Sequence, residues 1–379
     1  MKERNKGIDI LRILSMYMVV ILHILSRGSG LLTNLTPPGS VAWNLAWFLE
    51  IACYCAVNCF ILITGYLMID RPAKLSSLVT LWLEVFFYSV GIMLLFLIMD
   101  RESITLIVLI KSFFPTIGQQ YWYFTAYFAM FLLLPFNNLL LRQLDKKQYT
   151  ILIAVLVGLF SVLNTCSLDD CFKIGNGYSF VWLLIVYAIG GYIKRFHIFE
   201  QKPFRLLVGY LLAVSLTWMV KAFSITIPFV GWQGTMINSA MAVMSSALIS
   251  YSSTTILLAA VCLFGAFKQI KGQASKLLSQ ISSMSFAVYL IHTHPLIFNT
   301  VFTDAFAFIS KLPWMAQTVV VLFVAVGVFA VCFVIEIMRS GLFRLCQIKK
   351  VAVLIDQKLG KYSVFSIYGY CNIDNNETK

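Results

Sequence analysis

Two residues near the start of the chain could do chemistry in a stretch that is otherwise almost wholly apolar: Arg12 and His23, in LRILSMYMVVILHI, residues 11–24. At ~100° per residue their eleven-residue separation is three helical turns plus ~20°, so a helix presents both on one face, about 16 Å apart along its axis. A guanidinium is permanently charged and offers a fork of donors suited to phosphate or carbonyl oxygens. An imidazole can take a proton from a hydroxyl or carry an acyl group. At bilayer depth such groups cost at least a few kcal/mol and normally face a protein interior or a wet cavity. Each also has a plainer use: Arg12 can pair with Asp9 one turn earlier or snorkel to headgroups, and a neutral His23 can bond a neighbouring helix.

Other polar residues fall at comparable depths. Glu50, Tyr54 and Asn58 form a stripe at four-residue spacing. Counting from Trp43 at 1.5 Å per residue puts Glu50 roughly 10 Å below the membrane boundary, level with His23. There its carboxylate is expected to orient the imidazole or hold its proton, with a merely interfacial glutamate as the alternative. Glu84 and Tyr88 are candidates to answer Arg12. Ser282, Ser285, Tyr289 and His292 share another helical face, followed by His294 and Pro295. Helix packing explains the Ser and Tyr more readily than catalysis does. His292, Tyr289 and Trp122 join Tyr88 as pocket candidates, Glu336 and Arg339 read as a structural pair three residues apart, and His197 needs no special role.

The scaffold that must position these groups is membrane-embedded. The 379 residues are 60% hydrophobic and only 12% charged, with mean hydropathy +0.85, whereas soluble domains are nearer one quarter charged. Apolar runs long enough to cross roughly 30 Å of hydrocarbon recur along the chain. We expect an all-α, polytopic membrane protein of about ten spans: Ile10–Ser26, Trp43–Met68, Leu78–Met99, Tyr121–Leu141, Tyr149–Thr165, Ser179–Ile193, Phe204–Ala222, Ser252–Phe267, Ile281–Val301 and Ala316–Met338. Residues 234–251 extend the eighth span, lie at the interface or re-enter the membrane.

Most Lys and Arg fall in the segments on the N-terminal side of these spans. The other side holds Arg27, Arg101, Lys111, Lys173, Lys221 and Lys311. That asymmetry predicts cytoplasmic N and C termini. The +13 balance then reflects topology and anionic headgroups rather than a nucleic-acid surface. The basic flank of Lys2, Arg4 and Lys6 suits an uncleaved signal anchor. Nine cysteines show no zinc or redox spacing and no metal is expected. Cys53, Cys55 and Cys59 read as packing residues, and Cys166 and Cys171 could pair in an oxidising compartment.

Taken together, GIDILRILSMYMVVILHI, NCFILITGYLM, QQYWYFTAYFAMFLLLPFNNLL and SSMSFAVYLIHTHPLI, with SYSSTTILLAAVCLFGAFKQIK as a weaker fifth stretch, resemble the membrane-bound acyltransferase family 3. The likeness respects the order and number of spans. It makes residues 1–344 an acyltransferase-3-like transmembrane domain and residues 345–379 a cytoplasmic tail. The resemblance implies a multi-pass protein of the bacterial plasma membrane that moves an acyl group, usually acetyl from cytoplasmic acetyl-CoA, to a hydroxyl of an extracytoplasmic or lipid-linked saccharide. It carries the family's motif arginine and histidine onto Arg12 and His23. It also points to Arg71 and Lys74 in RPAK for binding acyl-CoA, with lysine where the family pattern has a second arginine; Glu84 joins that donor set through Arg12. The competing class is a transporter or flippase in which Arg12, Glu50 and His23 bind substrate or relay protons. Two sets of five spans would suit an inverted repeat, but the sixth span offers no counterpart of Arg12 and His23.

Overall fold

The computed structural model describes residues 5–33, 35–199, 202–226, 231–359 and 368. Lys2, Arg4 and most of the tail beyond Leu359 lie outside them. The described chain is helical, with no strand: α1 Lys6–His23, α2 Val41–Cys53, α3 Ala56–Met68, α4 Leu75–Met99, α5 Leu106–Phe113, α6 Trp122–Gln143, α7 Lys146–Val157, α8 Asn164–Ser167, α9 Phe180–Arg195, α10 Pro203–Thr226, α11 Gly231–Leu248, α12 Thr254–Lys268, α13 Lys276–His292, α14 Trp314–Leu345 and α15 Ile348–Leu359.

Among the described residues seven segments are long and apolar enough to cross a membrane, and α13 with the helical stretch after it, bent by 76°, makes an eighth if the pair is counted as one span. About ten were expected. The expected sixth and eighth spans are α9 and α12, with 16 and 15 residues, about 24 Å of helix at 1.5 Å per residue. Both are buried along most of their length: α9 packs on α3, α6 and α7, and α12 on α10, α3 and α1. Residues 239–248 of the uncertain stretch lie in α11 as a short apolar helix against α10.

The first span sits at the centre. α1 starts at Asn5, whose side chain accepts the Ile8 N–H at 3.0 Å, satisfying a donor that a helix start otherwise leaves orphaned. It packs against α13, α3, α14, α12 and α2, and Leu11, Val20 and Ile24 are fully buried. Ile98, Phe323 and Met338 of α4 and α14 instead face outward, 85%, 73% and 72% exposed. Such apolar exposure is tolerable against lipid and costly in water.

α3 and α9 approach until backbones touch. A Cβ at Gly65 would stand 2.1 Å from the Tyr187 carbonyl oxygen, and one at Gly190 would stand 2.4 Å from that of Leu62. Small residues allow this close crossing, the usual means of joining helices in lipid. Gly65→Leu is therefore expected to destabilise the fold at or above the roughly 1–3 kcal/mol typical of overpacking, because rigid backbone must yield. A lowered midpoint of thermal unfolding in detergent, read by size exclusion, checks this; an unchanged midpoint contradicts the close crossing.

Three helical irregularities gather at one end of the bundle. The second span breaks at Tyr54–Cys55 between α2 and α3, the first passes directly from His23 into a π-helical turn at Ile24–Gly28, and α13 ends at His292 before Pro295 and a second π-helical turn at Ile297–Phe302. Proline removes a helical donor and disfavours helix at the preceding residue. The bent segment folds over the end of the first span, with Asp304 N–H donating to Arg27 O at 3.0 Å and Phe306 N–H to Gly28 O at 2.8 Å. The breaks in spans two and nine do not form the matched pair an inverted repeat requires, since α10, the seventh span, runs uninterrupted. Cys166 and Cys171 are both free, and Cys171 meets Ser167 Oγ at 3.0 Å instead.

Candidate active site

Arg12 and His23 line one cavity of about 250 Å³, together with Trp122, Tyr123, Tyr127 and Tyr251 and the α13 residues Ser282, Ser285 and Tyr289. The helical period of α1 sets both side chains on this face, and α13, α6 and α3 supply the facing walls.

At the Arg12 end, Asp9 lies 3.7 Å away and Ser282 Oγ accepts from Arg12 Nη1 at 3.3 Å. Asp9 is itself held by Ser282 Oγ at 2.8 Å and Ser279 Oγ at 3.2 Å. This arrangement corrects the expectation for Glu84 and Tyr88. Arg339 lies 3.8 Å from Glu84 and holds Glu336 through two hydrogen bonds of 2.6 and 2.5 Å, and Tyr88 donates to Glu336 at 2.6 Å. Glu84 and Tyr88 thus join α4 to α14 and do not line the cavity. Arg71 and Lys74 are exposed in the turn before α4 and do not line it either.

At the other end, His23 Nδ1 is 2.9 Å from His292 Nε2, and His292 Nδ1 is 2.5 Å from the Val288 carbonyl oxygen. A carbonyl can only accept, so with both rings neutral His292 Nδ1 carries the proton and its Nε2 presents a lone pair. His23 must then donate from Nδ1. This leaves the lone pair on Nε2 of a ring that borders the cavity, a tautomer assigned from the bonding network. Phe298 meets the His23 ring edge-on at 5.2 Å and Phe302 lies 5.9 Å from His292, so the π-helical turn roofs the pair with apolar rings. His294 bonds instead to Gln120 and the Leu296 N–H.

The partner expected for His23 was Glu50, and the structure supplies His292. Glu50 is 7% exposed, lies outside the cavity lining and has no hydrogen-bond partner at Oε2 among the described residues. Asn58, on the same sequence stripe, has a positioning role: it accepts from Trp182 Nε1 at 3.0 Å and donates to Tyr251 O at 2.8 Å, tying α3 and α9 to the start of α12. Tyr123, Tyr127 and Tyr251 were not singled out from the sequence. The aromatic run YWYFTAY carried a signal for the first two, since Tyr123 and Tyr127 lie on one face at i and i+4.

These features define a multi-pass membrane protein built around an internal cavity that joins a fixed positive charge to a paired imidazole. A family profile described as "Acyltransferase domain" matches residues 5–337. The chain belongs to this acyltransferase 3 family and is an acyltransferase. No curated protein and no solved structure matches it.

Proposed function

We propose that the protein moves an acyl group, in the simplest case acetyl, from cytoplasmic acyl-CoA to a hydroxyl of an extracytoplasmic glycan, with both termini in the cytoplasm of a bacterial plasma membrane. The observation that carries this reading is the single cavity bordered by Arg12 at one end and His23 at the other. Arg12 binds anionic oxygens of the donor, and the ~16 Å rise between the two residues lets the thioester reach His23 while the nucleotide stays behind. His23 Nε2 takes the proton of the acceptor hydroxyl as its oxygen attacks the thioester carbonyl carbon. The C–S bond then breaks, an ester forms, and the proton passes from His23 to the departing thiolate. The Tyr289 hydroxyl, whose oxygen accepts the Tyr123 N–H at 3.4 Å, retains its own proton to offer the developing oxyanion.

Comparison of surface glycans by mass from cells with and without the protein tests the reading. Acyl increments lost with the protein support it, and an unchanged glycan with retained export of unmodified material refutes it.

His292 acts through His23 in this scheme. His292→Ala is expected to lower kcat roughly 10- to 100-fold, the usual cost of removing a group that orients a working imidazole, with little change in KM for the donor. His292→Gln keeps an acceptor for the His23 Nδ1 proton and should recover part of the loss. Equal, complete inactivity of both variants, with normal abundance, would assign His292 another role.

A further inference from the structure

Residue 251 stands between two cavities. Its ring borders the His23 cavity, while its neighbours Ser250 and Ser252 border a second cavity of about 390 Å³. The second lies at the same end of the bundle, where the helical turns before α9 meet α11.

The walls on the two sides of Tyr251 differ in chemistry. Toward His23, three aromatic rings assemble: Trp122 lies 4.4 Å from Tyr178 and stacks at 5.7 Å and 23° on Tyr251, and Tyr178 is 4.8 Å from Tyr251. Trp122 and Tyr251 line the cavity and Tyr178 is 46% exposed, so the cluster runs from the surface to the site. The far cavity is the more polar of the two, with Asn164, Asp169, Asp170, Asn176 and the two serines beside the apolar Leu168, Ala242, Val243 and Ala247. Its acceptors are held in place. Asp170 receives the N–H groups of Ile174 at 2.9 Å and Asn176 at 3.1 Å and the Asn164 amide at 3.3 Å. Asn164 is 7% exposed, and its Oδ1 has no hydrogen-bond partner among the described residues. The side chains of Asp169, Asn176 and Ser246 on the same wall add further acceptors and donors that a polyhydroxylated ligand could use.

A pyranose ring has an apolar face of C–H bonds and a rim of hydroxyls. Broad aromatic faces suit the first, and carboxylate and amide oxygens suit the second. We propose that Tyr251 divides an acceptor site of two sugar subsites. The reacting ring seats against Trp122 and Tyr251 within reach of His23, and the polar cavity binds hydroxyls of the adjoining ring of the same chain. The acceptor is then a saccharide of at least two residues. This assignment rests on the acyltransferase reading above and adds where the acceptor binds and how much of it is read.

The full-length protein in detergent, given radiolabelled acetyl-CoA, tests the assignment with two acceptor probes. One is oligosaccharide cut from the host's envelope glycan after base treatment has removed its esters; the other is the monosaccharide obtained from it. Wild type should prefer the oligosaccharide. Trp122→Ala should raise KM about tenfold for both probes without changing KM for acetyl-CoA, and Trp122→Phe should recover much of that loss. Ser246→Trp, at an exposed position on the rim of the polar cavity, should abolish the preference for the oligosaccharide and leave transfer to the monosaccharide intact. An acceptor KM unmoved by Trp122→Ala, or a preference unmoved by Ser246→Trp, overturns the two-subsite assignment while acyl transfer stands. Absence of label on both probes with wild-type protein overturns glycan transfer itself, and the subsites with it.

Discussion

Replacement of His23 by alanine is expected to reduce acyl transfer to the glycan by roughly 10²- to 10⁴-fold, the range a positioned general base supplies, while the protein accumulates normally in the membrane. The loss should be large because the base is prepared before substrate arrives. The contacts from His23 Nδ1 to His292 Nε2 and from His292 Nδ1 to the Val288 carbonyl leave one ring nitrogen with its lone pair, at the residue that borders the cavity. Normal abundance follows because His23 is only half-buried and its removal strands no buried charge. The two parts His23 can play separate when the acceptor is withheld. A base leaves the acyl-CoA intact, whereas a covalent carrier puts labelled acyl on the protein and releases CoA. Acylation at the wild-type level in the alanine variant would remove His23 from the chemistry altogether.

The second large effect is expected at Arg12 and should appear in the donor. Hydrogen bonds to a charged group are worth about 1.5–3 kcal/mol, so Arg12→Ala should raise KM for acyl-CoA by roughly 10- to 150-fold with less change for the glycan. Arg12 also faces Asp9, which is 2% exposed and held by Ser279 and Ser282, so the alanine variant removes a charge contact of a buried carboxylate and costs stability too. Arg12→Lys separates the two effects. It keeps the charge beside Asp9 but loses the planar fork, so the fold should be retained and donor affinity still weakened. Binding of the donor measured by competition with a non-hydrolysable acyl-CoA analogue reads this directly. A lysine variant with unaltered donor affinity would place the anionic end of the donor elsewhere.

The shared face of Arg12 and His23 was legible without a fold because both lie on one helix, whose period fixes the angle between them. His292 was legible as a polar member of a helical face, not as the partner of His23, since 269 positions separate the two. Glu50 was the reasonable rival, a carboxylate at the matching depth. Depth along the membrane can be counted in residues, but azimuth between helices depends on how the bundle closes. The same limit misdirected Glu84 and Tyr88, which sit at a plausible depth for Arg12 and turn toward Arg339 and Glu336 instead. Of the ten expected spans, the sixth and the eighth fall short of the length of the other crossing helices. α9 and α12 are as apolar as the others but shorter, and enclosure by neighbouring helices gives their side chains an apolar surrounding without lipid.

From the amino-acid order alone came the membrane as solvent, the helical class, the family likeness and the Arg12–His23 stripe, because hydropathy and helical period are local properties of a chain. Tertiary structure decided what faces that stripe: the His292 lone pair that sets the His23 tautomer, the Asp9–Ser282 setting of Arg12, and the aromatic wall of Trp122 and Tyr251. Those contacts join segments far apart in the chain. In lipid, where apolar surfaces have no water to escape, close fits such as Gly65 against Tyr187 choose which helix faces meet.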